Sequence, residues 1–403
     1  MKKKLMALLL TAALLFTLTG CGGGNDQPAN KPAEQEQQAA EKPAATEPPA
    51  EEAVADIADP VEEATDEPAQ QEETAAAADQ PEEDDVPDDP AHIIARYYNT
   101  GDSCYGVRKN GTLVFAAARI YEDERQAVEK ATGIASMTGY YCLRKDGTVT
   151  VLDGDEYYEK IFAGWTDIVA LSAGYYGVIG LRKDGTVLQY GYESSSGKAD
   201  VSGWTDVVAI GAGTYHVVGL RKDGTVLAAA TSRSAPGTNV SRWSDIVSIA
   251  VGRDHTVGLN KDGTVVATGD NYRGACNVGD WTDITSIKAD YCTVGLRSDG
   301  TVAVAGLNNE EDINEIAGWT DIVDVYTFLD CVVGLKKDGT VVMVGGVGSE
   351  DQSKQTVSGW TDVVAISVNG GIAALKSDGT VLLAGYGITD EIQNEVSSWN
   401  LLQ

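Results

Sequence analysis

Eight copies of one short phrase, a basic or polar pair followed by Asp-Gly-Thr (Asn-Gly-Thr in the first), recur along the chain. Their glycines are Gly111, Gly147, Gly185, Gly224, Gly263, Gly300, Gly339 and Gly379, at intervals of 36 to 40 residues. A second phrase, Trp-Thr-Asp or a close variant, follows every copy after the first. A fixed period of this length means a series of like supersecondary units, each unable to bury its apolar surface alone and therefore stacked on its neighbours.

One unit, starting at Gly164, reads G-W-T-D-I-V-A-L-S-A-G-Y-Y-G-V-I-G-L-R-K-D-G-T-V-L-Q-Y-G. Its apolar and small residues fall in blocks of about five bounded by Gly or Asp, the signature of short strands. Asp184-Gly185 between two such blocks predicts a tight hairpin of type I′, with positive φ at both central residues. A period of this length accommodates four strands of about five residues with short connections. Such units stacked radially and closed into a ring make an all-β fold, a β-propeller of four-stranded blades. The 41 glycines and single proline (Pro236) of residues 91–403 suit this architecture, since proline costs ladder bonds.

The string from Trp204, W-T-D-V-V-A-I-G-A-G-T-Y-H-V-V-G-L-R-K-D-G-T-V-L, resembles the regulator of chromosome condensation repeat, with its Ala-Gly-x-x-His-x-x-x-Leu strand and following Asp-Gly hairpin. The resemblance covers residues 91–403 and implies a propeller. In length the unit is similar to the secreted β-lactamase-inhibitor propellers. The Gly-x-Asn-x-x-Gly-Gln segment of the family survives loosely, as Gly269-Asp270-Asn271-Tyr272-Arg273-Gly274. Eight units fit the length, so eight blades are favoured; a seven-bladed ring with the first unit as a cap is the alternative. Trp165, Trp204, Trp243, Trp281, Trp319, Trp360 and Trp399 are all the tryptophans of the chain and share one register, where an indole can fill the wedge between blades. Only the seam before Ile134 lacks one, and there the insert from Tyr121 to Lys130 reads as a short helix.

Ahead of the repeats, Lys2, Lys3 and Lys4 precede an apolar run from Leu5 to Leu18, an export signal too short to span a bilayer. Leu18-Thr19-Gly20-Cys21 resembles the bacterial lipobox, which implies a leader of residues 1–20, lipidation of Cys21 and anchoring at the outer face of the cell membrane. Residues 22–90 carry ten of the eleven prolines, no aromatic residue, and 22 acidic against two basic residues. Such a segment cannot offset its ordering entropy and predicts a disordered, self-repelling stalk over 21–90. The repeats of 91–403 hold 39 acidic and 25 basic residues, an imbalance opposed to nucleic-acid binding.

Candidate sites follow from the register. His216, His255, Cys292 and Cys331 stand eight residues before the hairpin glycine in four consecutive units. They invite a zinc reading, but neighbouring blades hold equivalent positions too far apart for one ion, and in the family this histidine is structural; a Cys292–Cys331 disulfide is a second alternative. No metal and no cofactor is expected. Tyr140, Tyr141, Tyr175, Tyr176, Tyr215 and Tyr291 fall in equivalent loops that gather on one face of a propeller. The candidate binding face comprises Tyr175, Tyr176, Tyr215, Asp254, Asp290, Tyr291 and Asp330, with packing of these rings against the inner strands as the plainer reading. Asp254, Asp290 and Asp330 are the carboxylates an enzyme would draw on. Asp153, Asp155 and Glu156, and Glu310-Glu311-Asp312, are ordinary acidic loops. Gly191–Lys198 misses the phosphate-loop pattern by one residue, and no nucleophile elbow or His-Glu-x-x-His is present. Tyr192 reads as an unconstrained loop residue, like the variable stretches around it.

The expectation is a lipid-anchored, cell-surface, monomeric β-propeller that binds a protein or an envelope component, without catalysis of its own. The alternative is a carbohydrate-binding or carbohydrate-cleaving extracellular propeller. Enzyme inhibition is the family activity nearest to this setting, while exchange on a small GTPase does not fit an exported acidic chain. Membrane contact is through the lipid alone, so Cys21→Ser should move the full chain from the membrane fraction to the soluble fraction. Unchanged partitioning on detergent extraction would remove the lipoprotein reading.

Overall fold

A computed structural model of the chain describes residues 93–98, 101–117, 122–152, 156–194, 197–231, 235–346, 353–385 and 388–403. The leader 1–20, Cys21, the stalk 21–90, Asp153 and Asp155 lie outside the described residues. Eight antiparallel sheets, each of three consecutive strands, follow one another at 93–117, 134–151, 168–191, 207–230, 246–269, 284–305, 322–344 and 363–384, numbered 1 to 8 below. Sheet 4 is representative, with Val207–Ala212 paired to His216–Arg221 and that strand to Val226–Ala230. Each sheet packs on the next, and the first strand of sheet 1 packs on the first two strands of sheet 8. The fold is a β-propeller.

Two details differ from the sequence reading. The hairpin is not type I′: in sheet 3 the N–H of Gly185 bonds to the carbonyl of Arg182, and the N–H of Arg182 to that of Thr186. Only Gly185 has positive φ, +82°. This is a three-residue loop, a turn closed by a left-handed glycine. Asp and Thr have their own purpose in it, because Asp184 Oδ1 accepts from both the N–H (2.9 Å) and Oγ1 (2.6 Å) of Thr186. The pattern repeats from Asn110–Thr112 to Asp378–Thr380.

The second difference is the fourth strand, which is absent from the eight sheets among the described residues. Its place is taken by a loop or a short helix: Glu122–Lys130, Glu156–Phe162, Glu310–Ala317, Ser353–Val357 and Asp390–Val396. The first is the expected insert. What the connections share is one apolar residue three positions before the tryptophan, whose carbonyl accepts the tryptophan N–H at 2.9–3.0 Å, as in Phe162–Trp165, Val201–Trp204 and Ile316–Trp319. That bond and one buried side chain are all the seam requires, so the intervening backbone is free to coil or to loop.

Successive sheets are latched by one backbone bond, and a second fixes the latching segment to its own sheet. The N–H that follows Trp-Thr-Asp donates to the carbonyl of the preceding hairpin glycine, as in Ile168 to Gly147 (2.9 Å) and Val207 to Gly185 (3.1 Å). Within the sheet so entered, a residue of its own hairpin donates to the aspartate carbonyl, as in Lys183 to Asp167 and Lys222 to Asp206. Asp167, Asp206, Asp245, Asp283, Asp321 and Asp362 meet this geometry at φ of +58° to +62°, a conformation that aspartate tolerates better than most residues. The last latch uses the C-terminus: Leu401 N–H donates to Gly379 O, and Lys109 N–H to Leu401 O, both at 2.9 Å.

Above each latch the tryptophan fills the wedge. Trp204 packs with Ile179, Leu181 and Val187 of sheet 3 and Val207, Ile210 and Val217 of sheet 4. A Cβ added to Gly219 of the middle strand would come within 2.8 Å of its ring, and Gly180 stands in the same relation to Trp165. Trp399 joins Cys104, Val114 and Ala116 of sheet 1 to Ala373, Leu375 and Leu383 of sheet 8. Trp243 is the least buried of the seven. In the seam without an indole, Ala131 takes the tryptophan position and Val128, Met137 and Leu152 fill the space. Tyr192 is a further correction: it is fully buried, with its hydroxyl donating to Gly213 O at 2.9 Å.

Trp399→Ala should cost about 3–5 kcal/mol through a cavity. Deleting residues 399–403 should cost more, because it also removes the closing latch. Equal urea midpoints for the deletion and the wild-type chain would show that closure does not depend on the C-terminus.

Candidate binding face

The latches and Asp-Gly-Thr turns lie at one end of the strands. At the other end emerge the connections between first and second strands and those leaving the third, here the upper face. These loops are tight because the sequence supplies glycine where they meet. A Cβ on Gly174 would fall 2.1 Å from both Gly213 O and Tyr192 Oη, and a Cβ on Gly213 or Gly252 would strike the ring of His216 or His255. Backbone bonds lace adjacent loops together, Thr214 N–H to Arg253 O at 2.7 Å and Arg253 N–H to Asp290 O at 3.1 Å.

Of the sequence candidates, Tyr175, Tyr176 and Tyr215 come together. They are 46%, 44% and 41% exposed. The ring of Tyr176 lies 4.8 Å from that of Tyr175, edge-on, and 5.1 Å from that of Tyr215 at 33°. Tyr140 and Tyr141 do not join them: Tyr140 packs in the seam of sheets 1 and 2, and Tyr141 lies edge-on to Phe162.

Tyr291, Asp290 and Asp330 belong to a second arrangement, organised by two arginines that the sequence reading passed over. The Arg253 guanidinium lies 4.3 Å from the Tyr291 ring centre and donates to the Tyr291 hydroxyl at 2.9 Å. Arg273 approaches the same ring at 5.3 Å and grips Asp330 with both terminal nitrogens. Asp290 is 2% exposed. Its Oδ1 stands 3.5 Å from Arg253 Nε, and its Oδ2 accepts from Leu329 N–H. Burial lifts its carboxyl to about 6 against the pull of Arg253. Burial, and then Asp270, also raises Asp254. Beside this network Tyr272 is 94% exposed, on a loop held by Asn271–Asn277 and by Tyr272 N–H to Asp270. The signal was present in the sequence: Gly252-Arg253-Asp254-His255 puts a cation where the preceding unit has Thr214.

The His/Cys register is built of pairwise contacts. His216 Nε2 meets Thr256 Oγ1 at 3.0 Å and His255 Nε2 meets Thr293 Oγ1 at 2.9 Å, while each threonine hydroxyl is given to a carbonyl, Gly237 or Ala275, at 2.7 Å. With its proton spent, the hydroxyl accepts, so both imidazoles carry hydrogen on Nε2. Cys292 Sγ contacts Thr327 Oγ1 at 2.9 Å, and Cys292 and Cys331 are not joined in a disulfide, so that alternative is not what forms. Among the described residues no group of three or more His, Cys, Asp or Glu is placed to hold a metal ion. Glu310, Glu311 and Asp312 occupy the first turn of a helix capped by Asn309, where carboxylates complement the helix dipole. The Gly191–Lys198 near-match contains a small hairpin, Glu193–Ser194 with Gly197–Lys198.

Residues 246–275, sheet 5 and the connection after it, match the Regulator of chromosome condensation (RCC1) repeat. The same phrases and latch bonds recur around the ring. Among solved structures it is similar to the CRINKLY WD40 ectodomain of the Arabidopsis thaliana receptor kinase ACR4, at 14% identity over 74% of this chain and 96% of that one, TM-score 0.42. Prp20p of Saccharomyces cerevisiae gives 14% over 69% and 87%, TM-score 0.43. The computationally designed Ika8 protein gives 16% over 73% and 96%, TM-score 0.43. No curated protein matches the chain.

Burial holds His216 and His255 at about 4, below the ordinary value of about 6.5. The unfolded chain therefore binds more protons at these sites between about pH 6.5 and 4, and stability falls with pH through that window by about 1.4 kcal/mol per unit for each. Asp290, raised to about 6, acts in the opposite sense, the folded state holding the extra proton between about pH 6 and 4. Unfolding free energy measured in urea should thus decline from pH 6.5 to 4.5, and Asp290→Asn should make the decline steeper. A shallower slope in that variant would contradict the assigned burial of Asp290.

Proposed function

We propose that the chain is exported, lipidated on Cys21 and held at the outer face of a bacterial cell membrane, where the propeller binds a protein or another envelope component through its upper face. The observation that carries this reading is the group of Tyr175, Tyr176 and Tyr215, half-exposed in mutual contact on loops that are hydrogen-bonded from below. Large apolar rings kept in water on a rigid frame are what recognition surfaces offer. Repeat propellers of this type are typically binding or regulatory proteins, and the stalk supplies reach.

A carbohydrate-cleaving reading needs two free carboxyl groups beside the mouth. Asp290 is buried against Arg253 and the Leu329 N–H, and Asp330 is gripped by Arg273. Of the three carboxylates drawn from the sequence that leaves only Asp254 uncommitted, which favours binding over hydrolysis.

Cross-linking of the full chain in intact cells should capture an envelope ligand that is lost from Tyr175→Ala/Tyr176→Ala/Tyr215→Ala. It should be kept by Val208→Ala/Val247→Ala, two exposed side chains at the latch end. Melting temperatures of both variants should stay close to wild type, since the substituted groups are surface-exposed. Loss of capture in the valine variant alone would place recognition on the other face.

A further inference from the structure

We infer that the tyrosine strip of sheets 3 and 4 is a binding site for an uncharged polysaccharide, an inference that rests on the upper face being the recognition face. The strip is set by the loops beneath it. Gly174 lets the loop of sheet 3 touch Gly213 of sheet 4, and Tyr192 ties that contact from below through its bond to Gly213 O. Tyr175, Tyr176 and Tyr215 are thereby brought into ring contact across two sheets. Little ordering remains to be lost when a ligand arrives.

The strip is neutral. None of the cation–ring contacts among the described residues involves these three rings. Two cations of the same face are committed elsewhere, Arg253 to Asp290 and Arg273 to Asp330. What the strip offers is ring surface edged by phenolic hydroxyls, each both donor and acceptor. A pyranose is the complementary surface, with C–H groups on its face and hydroxyls at its rim, and a row of rings suits a chain of sugars. Size points the same way. Three tyrosines at 41–46% exposure present about 300 Å², whereas a stable protein interface takes about 800 Å² from each partner.

The test uses the full-length chain in detergent and insoluble cellulose, chitin and amylose, with polygalacturonate as the charged polymer. Retention is expected on at least one neutral polymer, unaffected by high salt and competed by its soluble oligosaccharide. Tyr176→Ala/Tyr215→Ala should weaken it about tenfold or more. Tyr176→Phe/Tyr215→Phe keeps the rings and should stay within about threefold of wild type. Tyr215→Ala alone, at a surface ring, serves if the double variant melts early. Retention on none of the neutral polymers, salt-sensitive retention on polygalacturonate only, or equal retention by the alanine variants would overturn the inference. If cross-linking in cells still captures a protein through the upper face while no neutral polymer binds, the scaffold function stands and the polysaccharide site falls.

Discussion

The ring depends on the segment that enters each sheet, which is bonded through its backbone both to the hairpin glycine of the sheet before it and to the hairpin of its own sheet. One bond uses the glycine carbonyl, and the other the carbonyl of an aspartate in a left-handed conformation. Left-handed backbone at a non-glycine residue costs of order 1 kcal/mol. The cost recurs because the alternative, two buried-edge carbonyls without donors, is larger. Seven latches join sheets that are consecutive in sequence, so their loop-closure entropy is small. The eighth brings Leu401 to Lys109, and its cost is met by Trp399 and Leu401 burying themselves against sheet 1.

Given the latch, the seam above it is a problem of matched volumes. The glycine of the middle strand and the indole of Trp-Thr-Asp are complementary: a methyl group on Gly180, Gly219 or Gly295 would stand 2.7–2.8 Å from the ring of Trp165, Trp204 or Trp281. Where the indole is missing, Ala131 stands at its position and Val128, Met137 and Leu152 fill the space. The outer connection is then released from any role but delivering one apolar side chain, which is why it is helical in some units and a loop in others. A fourth strand would add ladder bonds but is not needed to close the seam.

This explains what the sequence made legible. The ring and the tryptophan seams follow from repeated residues, and repetition is visible in a single chain; the insert helix was legible as the one stretch that breaks it. The helices Glu310–Ala317 and Asp390–Val396 were missed although Asn309 and Thr389 are N-cap residues followed by acidic first turns, because the strand period set by the flanking units dominated the reading. Tyr192 was misjudged for a related reason. It lies in a variable stretch, yet its burial depends on Gly174 and Gly213, one on each of two neighbouring sheets, a contact that no local pattern reveals. At the upper face the clustering of Tyr175, Tyr176 and Tyr215 was foreseen from register. The separation of Tyr291 from that cluster was not, since it is imposed by Arg253 and Arg273 reaching across sheets.

The two ends of the strands are consequently under different constraints. The latch end needs the same glycine, aspartate and threonine in nearly every unit, so it is chemically uniform. The upper end needs only glycines where loops cross and a buried acceptor pair at each histidine, and the remaining positions are free to differ. They differ in blocks: sheets 3 and 4 present neutral aromatic rings, whereas sheets 5 to 7 present arginines and aspartates that neutralise one another. Asp290 is the pivot of the second block, joining Arg253 of sheet 5 to the Leu329 N–H of sheet 7. Its Oδ2 accepts from the Leu329 N–H, while its Oδ1 faces Arg253 Nε at 3.5 Å without a hydrogen bond, so the charges of this half are turned mainly on one another. The unsatisfied surface of the upper face is therefore aromatic: the strip on sheets 3 and 4 and the projecting ring of Tyr272.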